Sequence, residues 1–227
     1  TVGKGFKTWV SEVYVERLTD NSNYSPAEPL TVTLTSSDPS KASVPATVTI
    51  PANNYRVYFS VTGVDLTGGT PITLDATATS YTSPATKLPV NVVAPTLELM
   101  SLDNPRNTLS SRDNFYVRTY VPGNASPYSQ TAVSALTVNL SVTNASTAGI
   151  VQFYDAASAG NVIVQTAIPA GYSNTLGTSG NQYQYVGQPT TTGSYTVTAE
   201  MPDANAAVTS ATITVNPADL KLRFRSY

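Results

Sequence analysis

The sequence contains neither cysteine nor histidine. The absence of cysteine excludes disulfides, thiol nucleophiles and zinc–thiolate sites. Without histidine, a serine or threonine nucleophile would need a lysine or a carboxylate as its base, and no such pair stands at a glycine-rich turn. The redox compartment stays open, because proteins outside the cell do not all carry disulfides.

Carboxylates are also sparse, with 14 Asp and Glu in 227 residues. Glu12 and Glu16 would share one face of a strand, the arrangement that a glycosidase with paired carboxylates would need. Charges on the wet side of a strand explain the pair better, since they oppose edge-to-edge aggregation. The aspartates are spread singly, so no calcium loop is predicted, although calcium near Asp103, Asn104 and Asp113 stays open. We predict no enzyme, no catalytic residue, no metal site and no cofactor.

Charge and long apolar runs are scarce as well. Only 11% of the residues are charged and the net charge is −2. The chain therefore lacks the basic field that attracts nucleic acid, and we expect no nucleic-acid partner. No apolar run approaches the roughly 18 residues that a membrane-spanning helix needs. We expect no membrane span.

Period-two alternation of apolar residues is present along most of the sequence. It is clear at Val32 and Leu34, at Val57, Phe59 and Val61, and again in the second half. Turn residues separate these segments at the spacing of about 8–12 residues that is typical of β-sandwiches. We predict an all-β chain of two tandem domains at 1–94 and 95–217, followed by a strand at 218–227. An insertion near 153–161 and a long loop at 170–182 are expected in the second domain.

The two halves repeat one plan with a shifted start. The run LTVTL at 30–34 matches LTVNL at 136–140, an offset of 106 that carries Trp9, Val13 and Val15 onto 115, 119 and 121. The run PTLEL at 95–99 is echoed by PADLKL at 217–222. We therefore expect the first domain to lack a strand A of its own and the sequence after 217 to supply an extra strand.

Several runs resemble the bacterial immunoglobulin-like repeats of large surface proteins and adhesins. They are LTVTLTSSDPS at 30–40, VPATVTIPA at 44–52, FSVTGV at 59–64 and GSYTV at 193–197. The resemblance implies immunoglobulin-like sandwiches that serve as stalk, spacer, adhesive or lattice modules outside the cell or on its surface, without a shared catalytic site.

The extra strand suggests head-to-tail joining. Leu220, Leu222 and Phe224 alternate with cations, so one side of this donor strand is apolar. The predicted acceptor groove is formed by Trp9, Val13 and Val15, with Trp9 in the core of strand B. Either the chain is part of a longer repeat protein or separate subunits polymerise, and both alternatives give the same contact.

Fourteen tyrosines against five phenylalanines suggest a second possibility. Amphipathic rings are favoured at interfaces, and Tyr172, Tyr183 and Tyr185 lie in or beside the long loop. They predict a face that binds a glycan or a surface protein. A third alternative, accessory domains of a secreted enzyme, also stays open.

Overall fold

The computed structural model describes residues 1–19, 22–143, 151–177 and 183–221. Within these ranges there is no α-helix, and one short 3₁₀ helix spans Pro202–Ala204. The strands of the first half are β1 Val2–Gly3, β2 Phe6–Lys7, β3 Val13–Glu16, β4 Leu18–Thr19, β5 Ser22–Asn23, β6 Leu30–Ser36, β7 Ala42–Ser43, β8 Thr47–Ile50, β9 Arg56–Phe59, β10 Thr62–Gly63, β11 Ile72–Thr77, β12 Leu88–Val90 and β13 Val92–Val93. Those of the second half are β14 Thr96–Met100, β15 Arg106–Asn107, β16 Asp113–Tyr120, β17 Thr131–Ala132, β18 Leu136–Thr143, β19 Phe153–Tyr154, β20 Val162–Ile163, β21 Gln165–Ile168, β22 Gln184–Val186, β23 Gly193–Met201, β24 Ala206–Thr209 and β25 Ile213–Asn216.

The second sandwich packs two sheets face to face. One has the order β14-β16-β22-β19-β20, and the other has the order β15-β25-β23-β18-β21 with β24 also on β23. Alternate residues of β16 are buried, among them Phe115 and Val117, because a half-buried strand turns every second side chain inward. The insertion predicted near 153–161 lies in the hairpin of β19 and β20.

The first sandwich has its own hydrophobic core. One sheet has the order β12-β11-β6-β8, and the opposite side is built from the pair β3-β9 and the three strands β2-β10-β7. Val32, Leu34, Ile50, Phe59 and Leu74 are all at most 7% exposed and form the centre of this core. The prediction of an all-β chain with two sandwiches is confirmed.

The repeat is visible in the strand registers. Leu30 lies opposite Ile50 in β6 and β8, and Leu136 lies opposite Ile168 in β18 and β21. The predicted offset of 106 (136 − 30) therefore holds for β6 and β18, whereas β8 and β21 are offset by 118 (168 − 50). The offset of 106 does not hold for β3, for which backbone hydrogen bonds give a different match to β16.

Among the described residues, the first sandwich has a counterpart of β15 but none of β14. In the second sandwich, β14 pairs with β16, and then β15 pairs in parallel with the last strand, β25. In the first, β1 pairs in parallel with the last strand, β13, in the same way. No described residue takes the place of β14, as predicted, whereas β1 takes the place of β15, which the prediction of a wholly missing strand A did not include.

The two sandwiches share a strand pairing that the sequence did not predict. β2 pairs with β10 of the first sandwich on one edge and with β17 of the second on the other. The Phe6 side chain is fully buried in the core of the second sandwich. Gly3 N–H also donates to the side-chain oxygen of Gln130 at 2.9 Å. The segment before β3 is therefore a structural part of both halves, whereas the predicted domain bounds themselves stay a prediction.

Candidate strand-acceptor groove

The outer edge of β3 is the feature that sets the two sandwiches apart. In the second sandwich the corresponding strand β16 has β22 on one side and β14 on the other. In the part of the chain that the structure describes, β3 pairs with β9 alone. An open edge presents backbone N–H and C=O groups that another strand can bind.

A groove of about 1130 Å³ runs along this edge. One wall is β3 with the residues that follow it, and the other is the end of β11 with the connection to β12. Its apolar lining includes the following residues: Val13, Val15, Leu18, Leu30, Val32, Ile50, Ala76, Ala78, Pro84 and Leu88. Since Val32 and Ile50 belong to the core, the groove leads directly into the interior of the sandwich.

Large apolar side chains at the groove remain accessible. Tyr14, Leu18, Tyr24 and Leu88 line it and are each more than 40% exposed. Exposed apolar residues that cluster in a concave surface indicate a binding site, whereas scattered ones do not.

Hydrogen bonds fix the match between β3 and β16. Arg17 N–H donates to Tyr55 O at 2.7 Å, and Thr119 N–H donates to Ser173 O at 2.8 Å. Tyr55 and Ser173 each follow the matched isoleucines of β8 and β21 by five residues. Arg17 therefore corresponds to Thr119, an offset of 102 (119 − 17), and Val15 corresponds to Val117. The predicted match of Val13 and Val15 to 119 and 121 is wrong by four residues, because the connection from β16 to β18 is longer.

The placement of Trp9 in the core was also wrong. Trp9 is 51% exposed and does not line the groove. It lies in a turn between β2 and β3, in which Trp9 N–H donates to Glu12 Oε2 at 3.1 Å and Glu12 N–H donates back to Trp9 O at 3.1 Å. This turn interrupts the strand and rotates the tryptophan outward. Of the three predicted acceptor residues, the structure brings Val13 and Val15 to the groove.

Arg17 supports the end of the groove from inside. Its side chain is 3% exposed, and the guanidinium donates to the carbonyl oxygens of Glu28 at 3.0 Å and Asn54 at 2.7 Å. It also reaches those of Pro26 and Pro51. These bonds tie the connection that precedes β6 to the end of β8. The alternation of Val13, Val15 and Arg17 in the sequence is the signal from which the inward direction of this side chain could have been predicted.

The predicted donor strand is only partly described. Leu220 is fully exposed and Lys221 is exposed. Leu222 and Phe224 lie outside the described residues. Their part in a donor strand stays a prediction.

The predicted tyrosine face is divided. Tyr185 lies opposite Tyr154 in β22 and β19, and the Tyr183 ring packs on Tyr116 with 5.9 Å between ring centres. Arg112 stacks on the Tyr154 ring at 3.4 Å. Tyr172 lies apart, beside β17, where its carbonyl accepts the Ala132 N–H. The structure therefore brings Tyr183 and Tyr185 together on one sheet face, without Tyr172.

Two of the side chains considered for calcium, those of Asn104 and Asp113, accept hydrogen bonds from backbone N–H groups. Asn104 Oδ1 accepts the Thr214 N–H at 3.0 Å, and Asp113 Oδ2 accepts the Asp103 N–H at 2.9 Å. Burial raises the pKa of Asp113 above its usual range. Across the described ranges, no group of three or more acidic, histidine or cysteine side chains is arranged to hold a metal ion.

No family model and no curated protein matches the chain. Among solved structures it is similar to the adhesin InvE of Yersinia pseudotuberculosis, with 16% identity, a TM-score of 0.38 and coverage of 86% of this chain and 51% of that one. It is also similar to the D00-D0 domain of intimin, with 9% identity, a TM-score of 0.36 and coverage of 90% and 100%. A β-glucuronidase of glycoside hydrolase family 2 matches with 17% identity and a TM-score of 0.35, over 97% of this chain and 20% of that one.

This chain thus spans about half the length of InvE and a fifth of the glucuronidase. No helix of the described residues is long and apolar enough to cross a membrane. The all-β sandwich architecture that the predicted resemblance implies is present in the strand pairing.

Proposed function

We propose that this chain is a structural unit of a fibre, stalk or adhesin on a prokaryotic surface, in which copies are joined head to tail by strand complementation. The observation that supports this most is the open apolar groove along β3, in the position that β14 fills in the second sandwich. InvE, one of the matched structures, is itself an adhesin. The proposed role needs no catalytic step, so we propose that the chain is not an enzyme.

We propose that residues 217–227 of a second copy occupy the groove. The sequence from Pro217 repeats the pattern of Pro95 and β14, with leucines at 220 and 222 in place of Leu97 and Leu99. Leu220 is exposed and therefore accessible to another copy. The contact is the same whether a peptide bond links the two copies or they are separate subunits.

Two kinds of interaction favour this joint. A strand added to β3 forms backbone hydrogen bonds along an edge that is otherwise open. Each leucine or phenylalanine that enters the groove contributes about 1.5–3 kcal/mol through burial. Donor and acceptor surfaces differ, and contacts of this type extend into filaments when they do not close into a ring.

Sedimentation of the full chain over a range of concentrations tests the proposal. We expect oligomers that grow with concentration, and we expect Leu222→Asp to weaken assembly at least about tenfold, because a carboxylate in an apolar groove costs several kcal/mol. Val164→Asp is the matched control, since Val164 is 68% exposed and lies away from the groove. Equal assembly of Leu222→Asp and the unaltered chain would reject the joint.

We propose adhesion through the tyrosine face as a second candidate function. It is favoured by the sheet face on which Tyr116, Tyr154, Tyr183 and Tyr185 lie together with Arg112. Aromatic rings on an accessible face suit glycan or protein contacts. A glycan array probed with the full chain and with Tyr185→Ala tests it, and binding unchanged by the substitution would argue against this face.

A further inference from the structure

We infer that one ion pair fixes the register of the joint, with Lys221 of the donor copy opposite Glu16 of the acceptor copy. This inference rests on the proposed function and adds the register of the two strands. It also identifies the pair of charges that lets a donor strand recognise the correct edge.

The register comes from the second sandwich. In β14 and β16, Leu97 lies opposite Thr119, and Leu99 lies opposite Val117. The hydrogen-bond match above places Arg17 at the position of Thr119 and therefore Val15 at the position of Val117. A donor strand bound in the same way has its first leucine opposite Arg17 and its second opposite Val15.

The repeated sequence identifies these leucines. Leu220 and Leu222 correspond to Leu97 and Leu99, so Lys221 corresponds to Glu98. Lys221 then lies opposite Glu16, on the outward side of the pair. Phe224 continues the inward row and lies opposite Val13.

The same position already holds an ion pair inside the chain. Arg118 and Glu98 lie opposite each other in β16 and β14, with 2.6 Å between the guanidinium and the carboxylate. In this pair the outer strand, β14, carries the anion, Glu98. In the proposed joint the added strand carries the cation, Lys221, and the acceptor carries the anion, Glu16.

Glu16 is available for this contact. It is exposed, lines the groove and forms no ion pair with another described residue. Arg56, its neighbour in β9, has its guanidinium stacked 4.7 Å from the centre of the Tyr55 ring.

The reversed charges discriminate between the two edges. A donor tail that displaced β14 would put Lys221 against Arg118, and a second β14 in the groove would put Glu98 against Glu16. Like charges directly opposite each other on a sheet are unfavourable. Such a pattern favours the correct edge by penalising the wrong one.

Charge reversal in the full chain tests the ion pair. We expect Glu16→Lys and Lys221→Glu each to raise the apparent dissociation constant of self-association by about 3- to 10-fold, the range for an exposed pair turned into a repulsive one. The double variant Glu16→Lys/Lys221→Glu should return to within about 3-fold of the unaltered chain. A mixture of the two single variants should also assemble, because each donor then meets an acceptor of opposite charge.

The outcomes separate this inference from the proposed function. If the unaltered chain assembles but neither the double variant nor the mixture recovers, the register is overturned and the proposed function stands. If the unaltered chain does not assemble at any concentration, both are overturned. Restored assembly in the mixture supports the ion pair. In that case misfolding cannot explain the weak assembly of each single variant, since each protein in the mixture still carries its substitution.

Discussion

Leu99 lies directly opposite Val117 on the outer edge of β16, whereas Val15, which holds the corresponding position in β3, has no such neighbour among the described residues. Val15 lines an open groove instead. Two copies of one fold therefore differ at one edge strand. That difference is the basis of the proposed assembly.

Phe6→Ala is expected to destabilise the second sandwich, although Phe6 belongs to a strand of the first. The ring is fully buried in the second core, and removing a buried phenylalanine side chain costs about 3–5 kcal/mol. Urea denaturation followed by circular dichroism measures the change. Lys7→Ala in the same strand is the control, since Lys7 is exposed and its loss should cost less than about 0.5 kcal/mol. Equal effects of the two substitutions would contradict the shared core.

Arg17→Met is expected to destabilise the first sandwich by about 1–3 kcal/mol, because buried carbonyl oxygens lose their donor. Hydrogen exchange of the connection before β6 should also become faster. Lys87→Met is the matched control: Lys87 pairs with Asp75 at the surface, and exposed pairs contribute about 0–1 kcal/mol. If Arg17→Met lowers the free energy of unfolding no more than the control does, the hydrogen bonds to these carbonyl oxygens do not contribute to stability.

Asp65 gives the first sandwich a pH dependence in acid. Lys41 at 2.7 Å, with Lys4 at 3.1 Å, lowers the pKa of Asp65 well below its ordinary value of 3.8. A lowered folded-state pKa means that the stabilisation is complete above the unfolded-state pKa and is lost as the pH falls toward the folded-state pKa. The stability difference between the unaltered chain and Asp65→Asn should therefore be constant above about pH 5 and shrink below about pH 4. Thermal melting between pH 2 and 6 measures it, and a difference that does not change with pH would contradict the ion pairs.

The strands, and the absence of a counterpart of β14 from the first domain, could be predicted because period-two alternation and repetition can be read directly from the sequence. It did not predict the turn at Trp9, which contains no glycine or proline and leaves the alternation apparently unbroken. Phe6 looks like an ordinary inward residue of the first domain, and only the tertiary structure shows that its core belongs to the second. Val13 and Val15 were placed at the groove although their match to the second domain was wrong, because alternation alone gives their inward direction.

Amide hydrogen exchange along β3 tests the central claim most directly. Arg17 N–H points toward β9, since it donates to Tyr55 O. By alternation the Val15 N–H points the same way, and the Tyr14 and Glu16 N–H groups point into the groove. We predict that the Tyr14 and Glu16 amides exchange rapidly at low protein concentration and become protected as the chain assembles, whereas Val15 and Arg17 are protected throughout. Tyr14 and Glu16 amides that exchange equally fast in the assembled state, or that are already protected in the monomer, would contradict the account.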